Sequence, residues 1–318
     1  MILAVWLPFL VPLLAVPVAR RVAPRLAPRT AACLLLAGGV TLALCSTVTL
    51  LVVVASGVLQ FGPMASLAGL PASWLNGYAW LTVPVGWVAT PLLVAGTARL
   101  VWVAARQTRE VRTARAEAGP VTGELAVRPD EHPYAYALPG GRRERHRIVV
   151  SSGMLRALQP AEREALFAHE RAHLTGRHHH FLRLSRLMQI LHPGLRGLHE
   201  PLVYALERWA DESAADAVGD RRLAARAVGR AALVAKAFEG PAPRPGTALG
   251  VTSGPVPRRV AALLAGPGED HEGRPTRSSV PAWLMLAAAL AVTAYSAEHA
   301  VIDLDATIRI AQYVHGLR

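Results

Sequence analysis

Two kinds of pattern alternate along the chain. From Thr30 to Ala98 there is no Asp, Glu, Lys or Arg, a stretch too long to stay free of charge in a domain surrounded by water. A membrane-crossing helix needs about 20 apolar residues. The apolar runs predict spans at Ile2–Val18, Ala31–Leu59 and Ala79–Ala104, with a short fourth at Val280–Ala297 that ends between Arg277 and Glu298. Between the third and fourth the pattern turns polar and its period shortens and lengthens. Arg106–Ala118 predicts a short basic helix, broken by Gly119-Pro120. Tyr134–Leu138 and Ile148–Ser151 predict strands around a Pro139-Gly140-Gly141 turn. Ser152–Leu158 predicts a short helix or turn. Helical spacing returns from about Pro160 to Thr175, at Phe181–Leu191 (lying on or dipping into the membrane), Pro201–Val218, Arg221–Phe238 and Val260–Leu264. Gly240–Pro257 predicts irregular chain and Gly266–Ser279 a polar linker. The fold class is mainly α, integral membrane: four transmembrane helices with a cytoplasmic α+β domain between spans 3 and 4. The divisions fall at 1–104, 105–279, 280–297 and a short external tail, 298–318. No internal repeat is present.

Charge sets the orientation. Arg20, Arg21, Arg25 and Arg29 follow the first span, and Arg99, Arg106, Arg109, Arg112 and Arg115 follow the third, whereas Phe61–Tyr78 carries none. Positive loops stay inside. The N-terminus and C-terminal tail are therefore expected outside the cell, with the 105–279 domain in the cytoplasm. The first span lacks a basic residue ahead of it and so does not resemble a cleaved signal peptide. The net charge of +12 fits arginines beside anionic lipid headgroups, each attracted by about 1 kcal/mol; the Arg142–Arg147 run reads as a solvated hairpin tip. No zinc finger, RNA-binding signature or basic recognition helix is present, so direct nucleic-acid binding is not expected. Cys33 and Cys45 lie in the second span, twelve residues apart, a spacing that suits packing rather than a metal or disulfide framework.

The candidate chemistry lies at His169-Glu170-Arg171-Ala172-His173. Residues four apart share a helix face, so His169 and His173 can offer two imidazoles to one zinc ion. Glu170, one step round, misses the metal and reaches a water polarised by it, as a general base. Pro160 at the first helical position, Glu162 and Glu164 near the positive end and Gly176 at the stop support a helix. A catalytic zinc takes three protein ligands and keeps a position open. Glu207 is the expected third ligand, and Asp211, one turn on, can accept the other ring N–H of a zinc-bound histidine. The competing view makes Glu207, Asp211, Glu212 and Asp216 the wet face of an amphipathic helix. Three adjacent histidines, His178–His180, cannot all face one site and are expected at the surface or membrane interface. His192, His199, Tyr204 and Arg208 are candidates for stabilising an oxyanion. The spans hold no ionisable residue to mark a transport path.

These residues resemble the membrane-embedded gluzincin peptidases, most of all the BlaR/MecR antirepressor metalloproteases and next HtpX and the CAAX prenyl endopeptidases. The likeness rests on Tyr134–Gly141, Ile148–Leu155, His169–His173, Pro201–Tyr204 and Glu207–Asp211. It implies a gluzincin-type zinc peptidase domain with one Zn2+ per chain. His169, His173 and Glu207 would be the ligands, Glu170 the base and Asp211 the partner of a ligand. Ile148, Val149, Val150 and Ser151 are expected to form an edge strand that aligns an extended peptide by backbone pairing. The implied substrate is a cytoplasmic or membrane-proximal protein, a BlaI-like repressor among the possibilities. Quality control of membrane proteins, as in HtpX, and a non-catalytic scaffold with a structural metal are the alternatives. Two departures matter. Only about twenty residues follow the fourth span, too few for the external sensor domain of the beta-lactam receptors, and Ala210 stands where those proteins often carry Cys.

Overall fold

A computed structural model gives residues 2–68, 79–119, 123–141, 145–238, 254–265 and 280–316. The expectations for Arg142–Glu144, most of Gly240–Pro257 and Gly266–Ser279 lie outside the described residues. The chain is mostly helical with one small sheet. Three helices are long and apolar enough to cross a membrane among the described residues, within α1 (Ile2–Val22), α2 (Pro28–Val58) and α4 (Ala79–Ala118); the short α3 (Gly62–Leu67) precedes α4. The separate basic helix expected at Arg106–Ala118 is instead the continuation of α4. No Gly or Pro separates Ala104 from Arg106, and the Ala- and Arg-rich sequence sustains the helix. The expected fourth span opens the last helix, α11 (Val280–Gly316), which runs on past Ala297 through most of the expected tail.

A helix that crosses a membrane must satisfy its hydroxyls within the protein, and hydroxyls of these apolar helices are satisfied in that way. Thr47, Thr49, Ser56, Thr90 and Thr97 donate to the carbonyl four residues back. Ser46 donates both to Leu42 and, at 2.6 Å, to the carbonyl of Pro8 in α1. That carbonyl lacks its usual helical donor because position 12 is proline. α2 and α4 touch backbone to backbone, where a Cβ on Gly86 would stand 2.9 Å from Cα of Gly57.

The polar region forms a three-stranded sheet and a helical layer. β1 (Leu125–Arg128) pairs in parallel with β3 (Arg147–Ser151), and β2 (Ala135–Leu138) pairs antiparallel on the other side, giving the order β1-β3-β2. The helices are α5 (Ser152–Ala157), α6 (Pro160–Thr175), α7 (His178–Leu191), α8 (His199–Val218), α9 (Arg221–Lys236) and α10 (Val256–Ala265). Val150, Met154, Leu158, Leu166, Val228 and Leu263 build the core between sheet and helices. A second core joins this region to the spans. Leu182, Met188, Leu195, Leu198, Leu202 and Leu206 cluster with Ala15, Ala31, Leu35 and Leu42. α7 and the 3-10 turn Pro193–Leu198 are wedged against α1, α2 and α4. Small residues make room: a Cβ on Gly39 would stand 2.6 Å from Met188, and one on Gly197 2.5 Å from Val16.

Candidate metal centre

α6 is fixed at both ends by its own sequence. At its start Glu162 accepts from the backbone N–H of Gln159 at 2.9 Å, closing a capping box, and Pro160 takes the first position. At its end Gly176 donates to Ala172, and no side chain fits there: a Cβ would stand 2.4 Å from Nε2 of His178. Arg177 then adopts a left-handed backbone (φ 52°), uncommon outside glycine and found where the surroundings demand it. The turn brings His178, the first residue of α7, back against α6.

α6 and α8 lie side by side and converge on one point. Nε2 of His169 is 3.1 Å from Nε2 of His173. Oε2 of Glu207 is 3.5 Å from the former, and its Oε1 is 3.9 Å from the latter. These three form a group able to hold one metal ion. Three donors ~2.0–2.1 Å from a tetrahedral zinc stand ~3.3 Å apart, so the spacing fits. Burial argues the same way, since Oε1 of Glu207 is buried without a hydrogen bond. The view of Glu207 and Asp211 as a wet face is set aside, because both are at most 2% exposed.

Each imidazole is also held from behind. Nδ1 of His169 lies 3.0 Å from Oδ1 of Asp211. Nδ1 of His173 lies 2.6 Å from Nδ1 of His178, whose ring rests on Trp209 with centroids 4.6 Å apart. Burial opposes a charge on His169, but Asp211 and Glu207 outweigh it and raise the ring to about 9. Burial, with His169, His178 and Arg259 adding to it, holds His173 well below its ordinary range. Burial alone would raise Asp211; Arg259 and His169 reverse this and hold it low.

Two expectations are corrected here. Ile148–Ser151 is not an edge strand: β3 is the middle strand, paired on both sides and buried. The unforeseen strand β1 takes one side of it. Ser151 instead caps α5, accepting from Met154 N–H at 3.1 Å. Nor do the three histidines share a surface position. His178 is buried beside His173, His179 is half-buried and His180 exposed. Of the oxyanion candidates, His192 reaches the carbonyl of Phe9, His199 faces Ser185, Tyr204 lies under Arg258 and Arg208 donates to Glu212.

Arg259 was not foreseen. It is fully buried on α10, with Nη1 2.8 Å from Oε2 of Glu207. Its Nε and Nη2 donate to Oδ2 and Oδ1 of Asp211 at 2.7 and 2.6 Å. The sequence signal is faint: one of two adjacent arginines after a Pro- and Gly-rich stretch.

The sequence model of peptidase family M48 matches residues 102–266, just over half of the chain, from within α4 to the end of α10. The chain belongs to peptidase family M48. Neither a search of curated proteins nor one of solved structures gives a match. M48 peptidases are metal-dependent, and the matched segment contains His169, Glu170, His173, Glu207 and Asp211 as well as His178 and Arg259. The M48 match takes in the end of α4, the sheet and α5–α10, and leaves α1, α2, α3 and α11 outside it.

Proposed function

We propose that this M48 peptidase is an integral-membrane zinc endopeptidase that cuts a cytoplasmic or membrane-proximal protein. The observation that carries the reading is the convergence of His169, His173 and Glu207 beside the buried Glu170. Zinc bound there would polarise the scissile carbonyl and acidify a water. Glu170 would take a proton from the attacking water and pass it to the leaving amine. Asp211 and His178 hold the two imidazoles from behind through Nδ1, which leaves Nε2 of each for a cation. The peptidase region is seated on α1 and α2 through the Gly39–Met188 and Gly197–Val16 contacts, and Arg29 of α2 stacks over Trp209 of α8 at 5.4 Å. That seat favours a substrate close to the bilayer. The arginines after the first and third spans support a cytoplasmic peptidase region, with the N-terminus outside. The outer edge of β2, which packs on α6, is better placed than β3 to align an extended peptide.

Metal analysis and substrate trapping test the reading. Purified protein holds about one zinc per chain. Glu170→Gln retains the metal and loses cleavage, while His173→Ala loses both. Cleavage that survives in Glu170→Gln refutes the mechanism. Proteins trapped by Glu170→Gln distinguish a BlaR/MecR-like role, with one dominant repressor-like partner, from HtpX-like quality control, with many unfolded membrane fragments. A zinc-loaded protein that cuts nothing in a proteome-derived peptide library would be a scaffold.

A further inference from the structure

We infer that Arg259 is a positioning residue for the metal: one guanidinium fixes Glu207 directly and His169 through Asp211, and so sets how tightly and in what geometry the cation is held. The inference rests on the zinc-site reading above. Arg259 comes from α10, 48 residues beyond Asp211 in sequence, and is fully buried between two carboxylates. Its Nε and Nη2 meet both oxygens of Asp211 in a fork-to-fork pair. The same Oδ1 that accepts from Nη2 lies 3.0 Å from Nδ1 of His169. The remaining nitrogen, Nη1, forms an ion pair with Oε2 of Glu207 at 2.8 Å. One guanidinium thus bears on two of the three expected ligands, on His169 through Asp211 and on Glu207 by its charge.

A lysine could not do this. Its ammonium is a single point on a flexible stem and cannot fork onto both oxygens of Asp211 while also pairing with Glu207. Nor does the pair read as a device for holding α10 alone. Buried ion pairs add little net stability over apolar residues of the same size, and Val260 and Leu263 already pack α10 into the core. Arg259 also neutralises part of a formal three-carboxylate cluster, so Glu207 reaches the cation with its charge shared.

The test uses the full-length chain in detergent: wild type, Arg259→Lys, Arg259→Met, Asp211→Asn and the Asp211→Asn/Arg259→Met double variant. Zinc affinity is read by competition with a chromophoric chelator, and ligand geometry by the visible bands of the cobalt-substituted protein. Arg259→Met should weaken zinc at least about tenfold, as loss of a group behind a metal ligand does, and alter the cobalt bands. Arg259→Lys should keep the charge and part of the affinity yet still show altered bands. The double variant should lose less than the sum of the single losses, because both residues act through His169. Wild-type affinity and wild-type bands in Arg259→Met and Arg259→Lys overturn the inference and leave a structural ion pair. If Arg259→Met does not fold, Arg259→Lys decides on the same two readings. A wild-type chain that takes up neither zinc nor cobalt overturns the proposed function itself, an outcome separate from any difference among the variants.

Discussion

The interior of this chain is built by two different rules. Where α6, α8 and α10 meet, the buried side chains include His169, Glu170, His173, Glu207, Asp211 and Arg259. The imidazoles, Glu207, Asp211 and Arg259 are held by the charge or lone pair of a neighbour. Between α1, α2, α7 and Pro193–Leu198, the buried side chains are mostly alanines and leucines, with Val16 and Met188, and glycines lie between them. The polar group that bridges two spans there, the Ser46 hydroxyl, is spent on backbone carbonyls. The first region fixes direction and the second fixes distance. A polar change should therefore alter chemistry in the first, and a change of volume should alter stability in the second.

The sharpest contrast is Glu170→Gln. General-base removal costs about 10²–10⁴-fold in rate. The same change replaces a fully buried carboxylate by a neutral amide of similar shape, which relieves a burial cost. Cleavage should collapse while the melting temperature stays level or rises, a trade-off seen where function is kept at the expense of stability. A melting temperature that falls in step with activity would break the division between the two regions. His178→Ala is the next step down. It removes the group behind His173 and should weaken zinc about 10–100-fold, measured by chelator competition. Unchanged affinity would make His178 a packing residue beneath Trp209 and nothing more.

The two regions were also legible to different degrees. The apolar helices α2 and the first part of α4 follow from charge alone, because the chain carries no Asp, Glu, Lys or Arg from Thr30 to Ala98. α6 follows from local signals: Pro160, Glu162, Gly176 and the four-residue histidine spacing all point to one helix. Glu207 and Asp211 follow from what a metal needs. The misses are all long-range. Leu125–Arg128 carries no strong strand pattern, and its parallel pairing with β3 decides that Ile148–Ser151 lies in the middle of the sheet. His178 turns inward because Arg177 bends the chain back, a conformation that no residue type at that position announces. Arg259 is buried because α10 returns to α8, and sequence spacing says nothing of that return. α4 runs unbroken through Arg106–Ala118, since a change from apolar to basic residues is not by itself a break in a helix.

Gly39→Leu probes the second region. The site tolerates no Cβ without displacing the Met188 thioether, 2.6 Å away, and the methyl of Leu198 at 3.2 Å. Methionine is flexible and can yield to a single methyl, so Gly39→Ala should be mild. A leucine overfills the seam, at a cost of about 1–3 kcal/mol, read as a lowered melting temperature in detergent. Zinc affinity should be unchanged. A loss of zinc in Gly39→Leu would show that the seat on the spans also shapes the metal site.

The smallest expected effect is a dependence on pH away from the metal centre. His179, on α7, is half-buried. Burial first, then His180, His146, Arg183 and Arg115, lower it from 6.5 to about 4. A group depressed in the folded chain binds its proton later than in the unfolded one. Its contribution is neutral above about pH 6.5. As the pH falls from there towards 4, the unfolded chain takes up a proton that the folded chain refuses, and stability drops. Thermal melts between pH 7.5 and 4 (roughly spanning that window) should show this decline, and His179→Gln should make it shallower. Zinc should be held saturating throughout, so that protonation of the ligands does not add to the slope. An acid limb unchanged by His179→Gln would move the titration to other groups and leave His179 an ordinary surface histidine.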